Sequence, residues 1–380
     1  MTVYLDHAAT TPLRREALEA MMPWLTTSFG NPSGGHHVAR RACQAVDEAR
    51  EAIAAALGCF PGEVIFTAGG TEADNLAVAG VVGARRRSGP ATAVCSAVEH
   101  HAVLHAVEAV GGRTIGVDAD GALDLDALDA ALAPDVAVVS VMLANNEVGT
   151  VADLGAVAAV IERHAPGPVL HTDAVQAAPW LDVATLTRLA DLVSVAAHKF
   201  GGPQGVGALV ARRGVPLEPL IRGGGQERER RSGTHNVAGI VGMAAALTAA
   251  VADRDVAAAR AADVRRRLVD QVRAGAEHVV ESAARAPRLP NIAHLRIAGV
   301  ESESLLLLLD EAGVCASAGS SCASGAMEPS HVLAAMGIGR AEARTSLRLS
   351  VGRSTTDSDV DAGAEAIVAA VLRLRSRVSA

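Results

Sequence analysis

Lysine is almost missing from this chain. Of the 34 basic residues among 380, one is a lysine, Lys199, and the other 33 are arginine. A guanidinium serves wherever a fixed cation is enough, but it stays protonated and is a poor nucleophile. A desolvated lysine amine loses its proton and forms an imine with an aldehyde. The single retained lysine therefore points to covalent chemistry more than to a chance survivor. Aromatic residues are also scarce, at 2%, so the core has to be built from Ala, Val, Leu and Ile. The five cysteines, Cys43, Cys59, Cys95, Cys315 and Cys322, form no CxxC pair. An odd, scattered set argues against a disulfide framework or a structural zinc site and for free thiols.

Other absences exclude function classes. No apolar stretch runs uninterrupted to the roughly 18 residues of a membrane helix. The N-terminus, Met-Thr-Val-Tyr-Leu-Asp, shows no basic region followed by an apolar run, so no signal peptide is expected. A cytoplasmic protein without membrane attachment follows as the expectation. The net charge of −8 argues against a nucleic-acid-binding surface. The runs Arg85–Arg87 and Arg265–Arg267 read as solvated helix faces or loop charges.

Half of the residues are hydrophobic, enough for a large core. Candidate strands are Glu63–Thr67, Ala93–Ala97, Arg113–Val117, Val136–Leu143, Val169–Thr172, Leu192–Ala196 and Gly207–Ala211. Segments with helical spacing lie between several of them: Glu72–Arg87, His101–Val110 and Leu154–His164. Buried strands alternating with helices predict an α/β fold, a mostly parallel seven-stranded sheet with helices on both faces. Residues 243–286 read as one long Ala/Arg helix. After it the pattern is a smaller α+β domain: a strand Ile292–Ile297, a helix Ser302–Glu311, a short strand Val314–Ala316, a helix Ser330–Met336, a strand Ser346–Ser350 and a final helix Asp357–Leu374. The expected division is 14–254 for the large domain against 1–13 and 255–380 for the small one.

Polar residues gather where the strands end, the ligand-binding edge of an open α/β sheet. Lys199 sits in His-Lys-Phe-Gly-Gly-Pro just after a strand. Asp173 closes the mostly apolar Val169–Asp173 and needs a partner there. In a pyridoxal site that partner is the ring nitrogen, whose protonation makes the ring an electron sink. Gly69-Gly70-Thr71 at a helix start offers free N–H groups and a helix dipole to a phosphate. His100 or His101 stands at another strand end as an acid/base group or a ring-stacking partner. Cys322 lies in Ala-Gly-Ser-Ser-Cys-Ala-Ser-Gly, a stretch with little to pack, expected to be a mobile loop whose thiol reacts.

These motifs together resemble the cysteine desulfurases, in the class V aminotransferase group of fold-type I pyridoxal-phosphate enzymes. The likeness runs from Tyr-Leu-Asp-His-Ala-Ala-Thr-Thr (Tyr4–Thr11) to Ser-Leu-Arg-Leu-Ser-Val-Gly-Arg (Ser346–Arg353). Between them lie Phe29–Ser33, Gly70–Asn75, Ala144–Gly149, His171–Gln176, Ala197–Lys199, Gly223–Arg228, Arg231–Thr234, Gly319–Cys322 and Glu328–Leu333. The resemblance implies pyridoxal 5'-phosphate bound as a Schiff base on Lys199, with Asp173 on the ring nitrogen and Gln176 on the ring oxygen. It implies His100 stacked on the ring, and Gly70, Thr71, His198 and Thr234 of the partner subunit around the phosphate. Arg348, with Asn146 and Asn31, would bind the carboxylate of L-cysteine. Cys322 would take the sulfur as a persulfide and pass it to an acceptor protein. A homodimer is implied as well. Iron–sulfur cluster assembly, tRNA thiolation, DNA backbone sulfur modification and thio-metabolite synthesis all draw on such enzymes. Three departures stand out: Ala196 where a phosphate-binding serine is frequent, Gln204 where lysine is usual, and Glu229 where glycine is usual.

Overall fold

The computed structural model describes residues 2–164, 167–319 and 330–378. In chain order its elements begin with β1 (Val3–Tyr4), α1 (Arg15–Thr26), α2 (His37–Leu57), β2 (Val64–Thr67), α3 (Gly70–Arg86), β3 (Thr92–Ser96), α4 (His101–Ala109) and β4 (Arg113–Ile115). There follow α5 (Leu125–Ala131), β5 (Val136–Ser140), α6 (Leu154–Glu162), β6 (Val169–Asp173), α7 (Val183–Leu186), β7 (Leu192–Ala196), β8 (Gly207–Ala211) and α8 (Val237–Gly275). The last third holds β9 (Val279–Glu281), β10 (Ile292–Ile297), α9 (Ser302–Glu311), β11 (Val314–Cys315), α10 (His331–Ala335), α11 (Arg340–Ala343), β12 (Ser346–Ser350) and α12 (Asp357–Val378).

Seven strands form the main sheet, in the order β2-β8-β7-β6-β5-β3-β4. Only β8 opposes the rest; its pairings with β2 and β7 are antiparallel. Strands such as Val-Ala-Val-Val-Ser and Leu-Val-Ser-Val-Ala are buried at every position. That is what a sheet covered on both faces demands. One face packs on residues of α2, α6 and α8, the other on α3 and α4. The expected sheet is therefore present. A second core gathers β1, β10, β12, α9, α12 and the later part of α8.

Helix α8 joins the two cores. Ile240, Met243 and Leu247 sit in the first, and Val264, Leu268 and Val272 in the second. By length and composition alone α8 passes for a membrane span, but half of its most apolar stretch is buried inside the protein. The expected helix over 243–286 instead ends at Gly275, where a Cβ would come within 2.6 Å of Val368 on α12. Val279–Glu281 then pairs antiparallel with β10. The Ala/Arg composition favours helix here, and tertiary pairing overrides it. The expected strand Val136–Leu143 likewise stops at Ser140, although Val141 and Leu143 still donate to the His171 and Asp173 carbonyls.

A buried ion pair braces the start of the candidate site. Glu227 accepts from both Arg50 guanidinium nitrogens, at 2.8 and 2.7 Å, from the Phe66 amide at 3.0 Å and from His235 Nε2 at 2.6 Å. Burial alone would raise this carboxyl, but Arg50 and His235 bring it down to about 2. Arg50 and Arg228 also donate to the Val64 carbonyl, so the network grips β2 just ahead of Gly69. Residues 227–229 hold left-handed φ angles of 49°, 57° and 63°, costly for non-glycine residues. Glycine would take this conformation at position 229 with less strain, so the fold explains a preference for glycine there, and nothing in it explains the glutamate. Removing one partner of a buried pair strands the other charge, so Glu227→Ala should cost about 3–5 kcal/mol of unfolding free energy. Urea denaturation of the variant against the parent measures this directly.

Candidate active site

The strand ends converge on a cavity of ≈ 390 Å³. It is lined by Gly70, Thr71, His100, Asn146, Asp173, Gln176, His198, Lys199 and Arg348, together with Asp6, Asp74 and Ala196. A second, more open hollow shares Gly70, Thr71 and His198 with it and is bordered by Gln204. Nine residues singled out from the sequence thus meet in one place.

Local folding explains each position. Lys199 closes a 3-10 turn, Ala197–Lys199, at the end of β7. The next turn is pinned from outside. Arg14 Nε donates to the Phe200 carbonyl at 3.1 Å, and its guanidinium pairs with Asp253 of α8 at 2.9 Å. Gly201 has φ +84°, and a Cβ there would meet Arg14 Cγ at 2.6 Å, so this turn requires glycine. Lys199 Nζ donates to the carbonyls of Ala8 and Ala9 at 2.6 and 2.9 Å. Burial, then the nearby Arg348 charge, lowers the amine to about 8, against the pull of Asp173 and Asp6. An ordinary lysine holds its proton far more tightly.

Asp173 ends β6, and its Oδ1 accepts from the Val175 amide at 2.8 Å. Burial raises this carboxyl to about 6; the Val175 N–H and Lys199 restrain the rise. Gln176 Nε2 donates to the Ala8 carbonyl at 2.8 Å, the same oxygen that takes Lys199 Nζ. His100 caps α4, its Nδ1 accepting from the Ala102 amide at 3.2 Å. Burial, followed by Lys199 and the neighbouring histidines, lowers His100 to about 4. A neutral ring whose Nδ1 accepts must carry its proton on Nε2. His101 does not line the cavity; its ring packs on His331 at 4.5 Å between centroids. His198 Nδ1 lies 3.1 Å from Thr10 Oγ1, and burial lowers this ring too to about 4.

Arg348 lies on β12 of the smaller sheet. Its guanidinium donates to the Asn146 carbonyl at 3.0 Å and to Asp6 Oδ1 at 2.7 Å. Its buried Nε has no partner among the described residues. Gly70 opens α3, and a Cβ there would press on Val175 Cγ2 at 2.9 Å. Gly207 at the start of β8 packs so tightly on Gly69 that a Cβ would fall 2.7 Å from its carbonyl carbon. The backbone before α3 therefore lies against β8 with its first amides open to the hollow.

Two expected positions are elsewhere. Asn31 and Thr234 are exposed and line neither hollow of this chain. Cys322 lies outside the described residues. Sequence reasoning assigned nothing to Asp6, although it stands in the Tyr4–Thr11 motif and holds Arg348. It also assigns nothing to Asp74, buried on α3 beside Ala73 and Ala77, whose Oδ1 accepts no hydrogen bond among the described residues and lies 3.7 Å from His171 Nε2. A carboxylate on an otherwise apolar helix face was the available signal.

Because the chain has one lysine, amine reagents read Lys199 with little background from other side chains. Modification of the apoprotein at Lys199, followed by peptide mass, should reach half its maximal rate near pH 8, since the free amine exists above that value. A rate still climbing beyond pH 10.5, the ordinary lysine value, contradicts the burial argument.

Comparison with known proteins agrees with this geometry. The chain is 47% identical over 383 residues to the IscS-like cysteine desulfurase of Mycobacterium tuberculosis, covering 98% of this chain and 97% of that relative. A NifS-like protein of known structure superposes with a TM-score of 0.90 at 33% identity, over 97% of this chain and 99% of the other. SspA, solved in complex with cysteine, superposes with a TM-score of 0.79 at 32% identity, over 93% and 100% of the two chains. The family profile described as aminotransferase class-V matches residues 3–362. On this match and these identities, the chain belongs to the aminotransferase class-V family.

Proposed function

We infer that this chain is an L-cysteine desulfurase. L-cysteine and the Cys322 thiol give L-alanine and a Cys322 persulfide, whose outer sulfur passes to an acceptor protein. The observation that carries this reading is the meeting of Lys199, Asp173, His100 and Arg348 in one cavity. The names of its relatives support the same reaction.

The cavity fits pyridoxal phosphate by its donor set. The Asp173 carboxylate, whose negative form the Val175 amide and Lys199 favour against burial, lines its wall and suits a protonated ring nitrogen. Open amides at the start of α3, with Thr71 and His198, suit a phosphate. Lys199 is the only side-chain amine in the chain. When bound, the cofactor supplies an aldehyde for the substrate amino group and a ring that accepts electrons from Cα. Lys199, with a lowered pKa, releases and accepts protons at Nζ near neutral pH. His100 holds a proton on Nε2 and would lie beside the ring. Gln176 Nε2, one N–H on the Ala8 carbonyl, would offer its other to the ring oxygen. Arg348, with Asn146, lines the cavity and would bind the substrate carboxylate.

Ala196 lines the cavity where a hydroxyl would add one phosphate hydrogen bond, so retention rests on the remaining donors. Asn31 and Thr234 act in the second site of a homodimer. Leu18, Met22 and Leu25 on α1 and Phe29, 74% exposed, form an apolar surface beside Asn31 that supports such pairing. The two hydrophobic cores joined by α8 support a division into a large unit, 14–254, and a small one, 1–13 with 255–380.

Cys322→Ser should keep the bound cofactor's absorption and lower alanine release from cysteine by at least about 10³-fold, as loss of a nucleophile does. Alanine release at the parent rate would rule out the persulfide and favour another class V reaction. Single-turnover assays with L-cysteine and amino-acid analysis decide the matter.

A further inference from the structure

The more open hollow beside the cavity is lined by Gly70, Thr71 and His198, the groups that suit a phosphate. Its lining holds no lysine or arginine. Burial lowers His198 to about 4, so that ring brings no charge near neutral pH. Gln204 borders the hollow where a lysine is usual. The one carboxylate in the lining is Glu72. A phosphate here therefore meets an anion of the chain's own and no lining cation to offset it.

Glu72 stands there for a structural reason. Gly69 precedes α3 and has no side chain with which to cap it. Glu72, in the first turn, reaches back, and its Oε2 accepts from the Ala68 amide at 2.8 Å. This closes the turn while the first amides of α3 stay open. The helix dipole favours a carboxylate at this position, but a phosphate seeks the same positive end. Arg231 resolves the conflict. Its Nε donates to Glu72 Oε1 at 2.8 Å and its Nη2 to Oε2 at 3.2 Å, a two-pronged pair whose side chains are 21% and 18% exposed. Arg231 is held in place in turn. The Ser232 amide donates to the Ile221 carbonyl at 3.0 Å, and the Gly233 amide to Gln226 Oε1 at 2.9 Å. On its other side, Glu227 takes the Phe66 amide and Arg228 donates to the Val64 carbonyl, both on β2. Residues 227–231 thus grip the turn from the strand before it and the helix after it.

We propose that Arg231 is a positioning residue for the cofactor phosphate: it neutralises Glu72 and holds that carboxylate on the Ala68 turn, so that the open amides of α3 meet the phosphate without a competing charge. The proposal rests on the pyridoxal-phosphate reading of the cavity. Its test uses the full-length apoprotein, titrated with pyridoxal phosphate and separately with pyridoxal, which has the aldehyde and no phosphate. Imine formation at Lys199, with release of water, is followed by absorption, and Lys199→Ala serves as the blank. Arg231→Met should weaken pyridoxal phosphate binding roughly tenfold, as a mostly buried charge left without its partner does. Pyridoxal should bind that variant within about twofold of the parent, because the lost contact acts on the phosphate alone. The double variant Glu72→Gln/Arg231→Met should return to within about threefold of the parent for pyridoxal phosphate, since glutamine still accepts from the Ala68 amide and carries no charge.

Parent-like affinity for pyridoxal phosphate in Arg231→Met overturns the proposal. So does an equal loss for both aldehydes, the mark of a merely structural lesion, or a double variant that binds no better than Arg231→Met. If Arg231→Met does not fold, Glu72→Gln alone carries the test. It should bind pyridoxal phosphate at least as tightly as the parent, and a loss beyond about twofold overturns the proposal. A parent apoprotein that forms no imine with pyridoxal phosphate instead defeats the cofactor reading itself, so the two failures stay distinguishable.

Discussion

Parallel pairing of β6 with β7 sets Asp173 opposite Ser194, five residues ahead of Lys199. The rest of the site depends on this register. It places the carboxylate and the amine at the same edge of the sheet, close enough that each shifts the other's titration. The N-terminal segment then crosses that edge. The Ala8 carbonyl receives both Lys199 Nζ and Gln176 Nε2, and Asp6 receives Arg348 from the smaller sheet. The segment Asp6–Ala9 thus ties the amine, the amide and the arginine to one another.

Charge beneath the site follows from burial. Asp74 and Glu99 are buried, and desolvation first, then the neighbouring acids, raise both carboxyls well above their ordinary values. His171 lies between Ser140 at 2.7 Å and Ser194 at 3.0 Å, and burial lowers it to about 3, so it is neutral. Asp173 has the Val175 amide and Lys199 to restrain its rise. Of these acids it is the one best able to carry charge at neutral pH. That asymmetry would suit the protonated ring nitrogen of the cofactor proposed for this site.

Much of this was legible in the sequence, for definite reasons. Continuous apolar runs such as Val136–Ser140 are unambiguous when both faces of a sheet are covered. Lys199 stood out because arginine had replaced every other lysine. Asp173 stood out as a carboxylate closing an apolar strand. The end of α8 was not legible, because Ala/Arg composition stays helical while Val279–Glu281 is claimed by β10. The Ala8 carbonyl has no signature at all, being a backbone atom whose importance is purely spatial. Asp6 lay in plain view within a motif, but its partner Arg348 is 342 residues away.

The chemistry proposed for this cavity requires Lys199 as the covalent seat of the cofactor. The direct measurement is borohydride reduction of the holoenzyme followed by peptide mass analysis. The predicted result is one stable pyridoxyl phosphate adduct per chain, on the peptide that contains Lys199, and none in Lys199→Ala. Cofactor retained without an adduct on Lys199, or an imine absorption that survives Lys199→Ala, would contradict it.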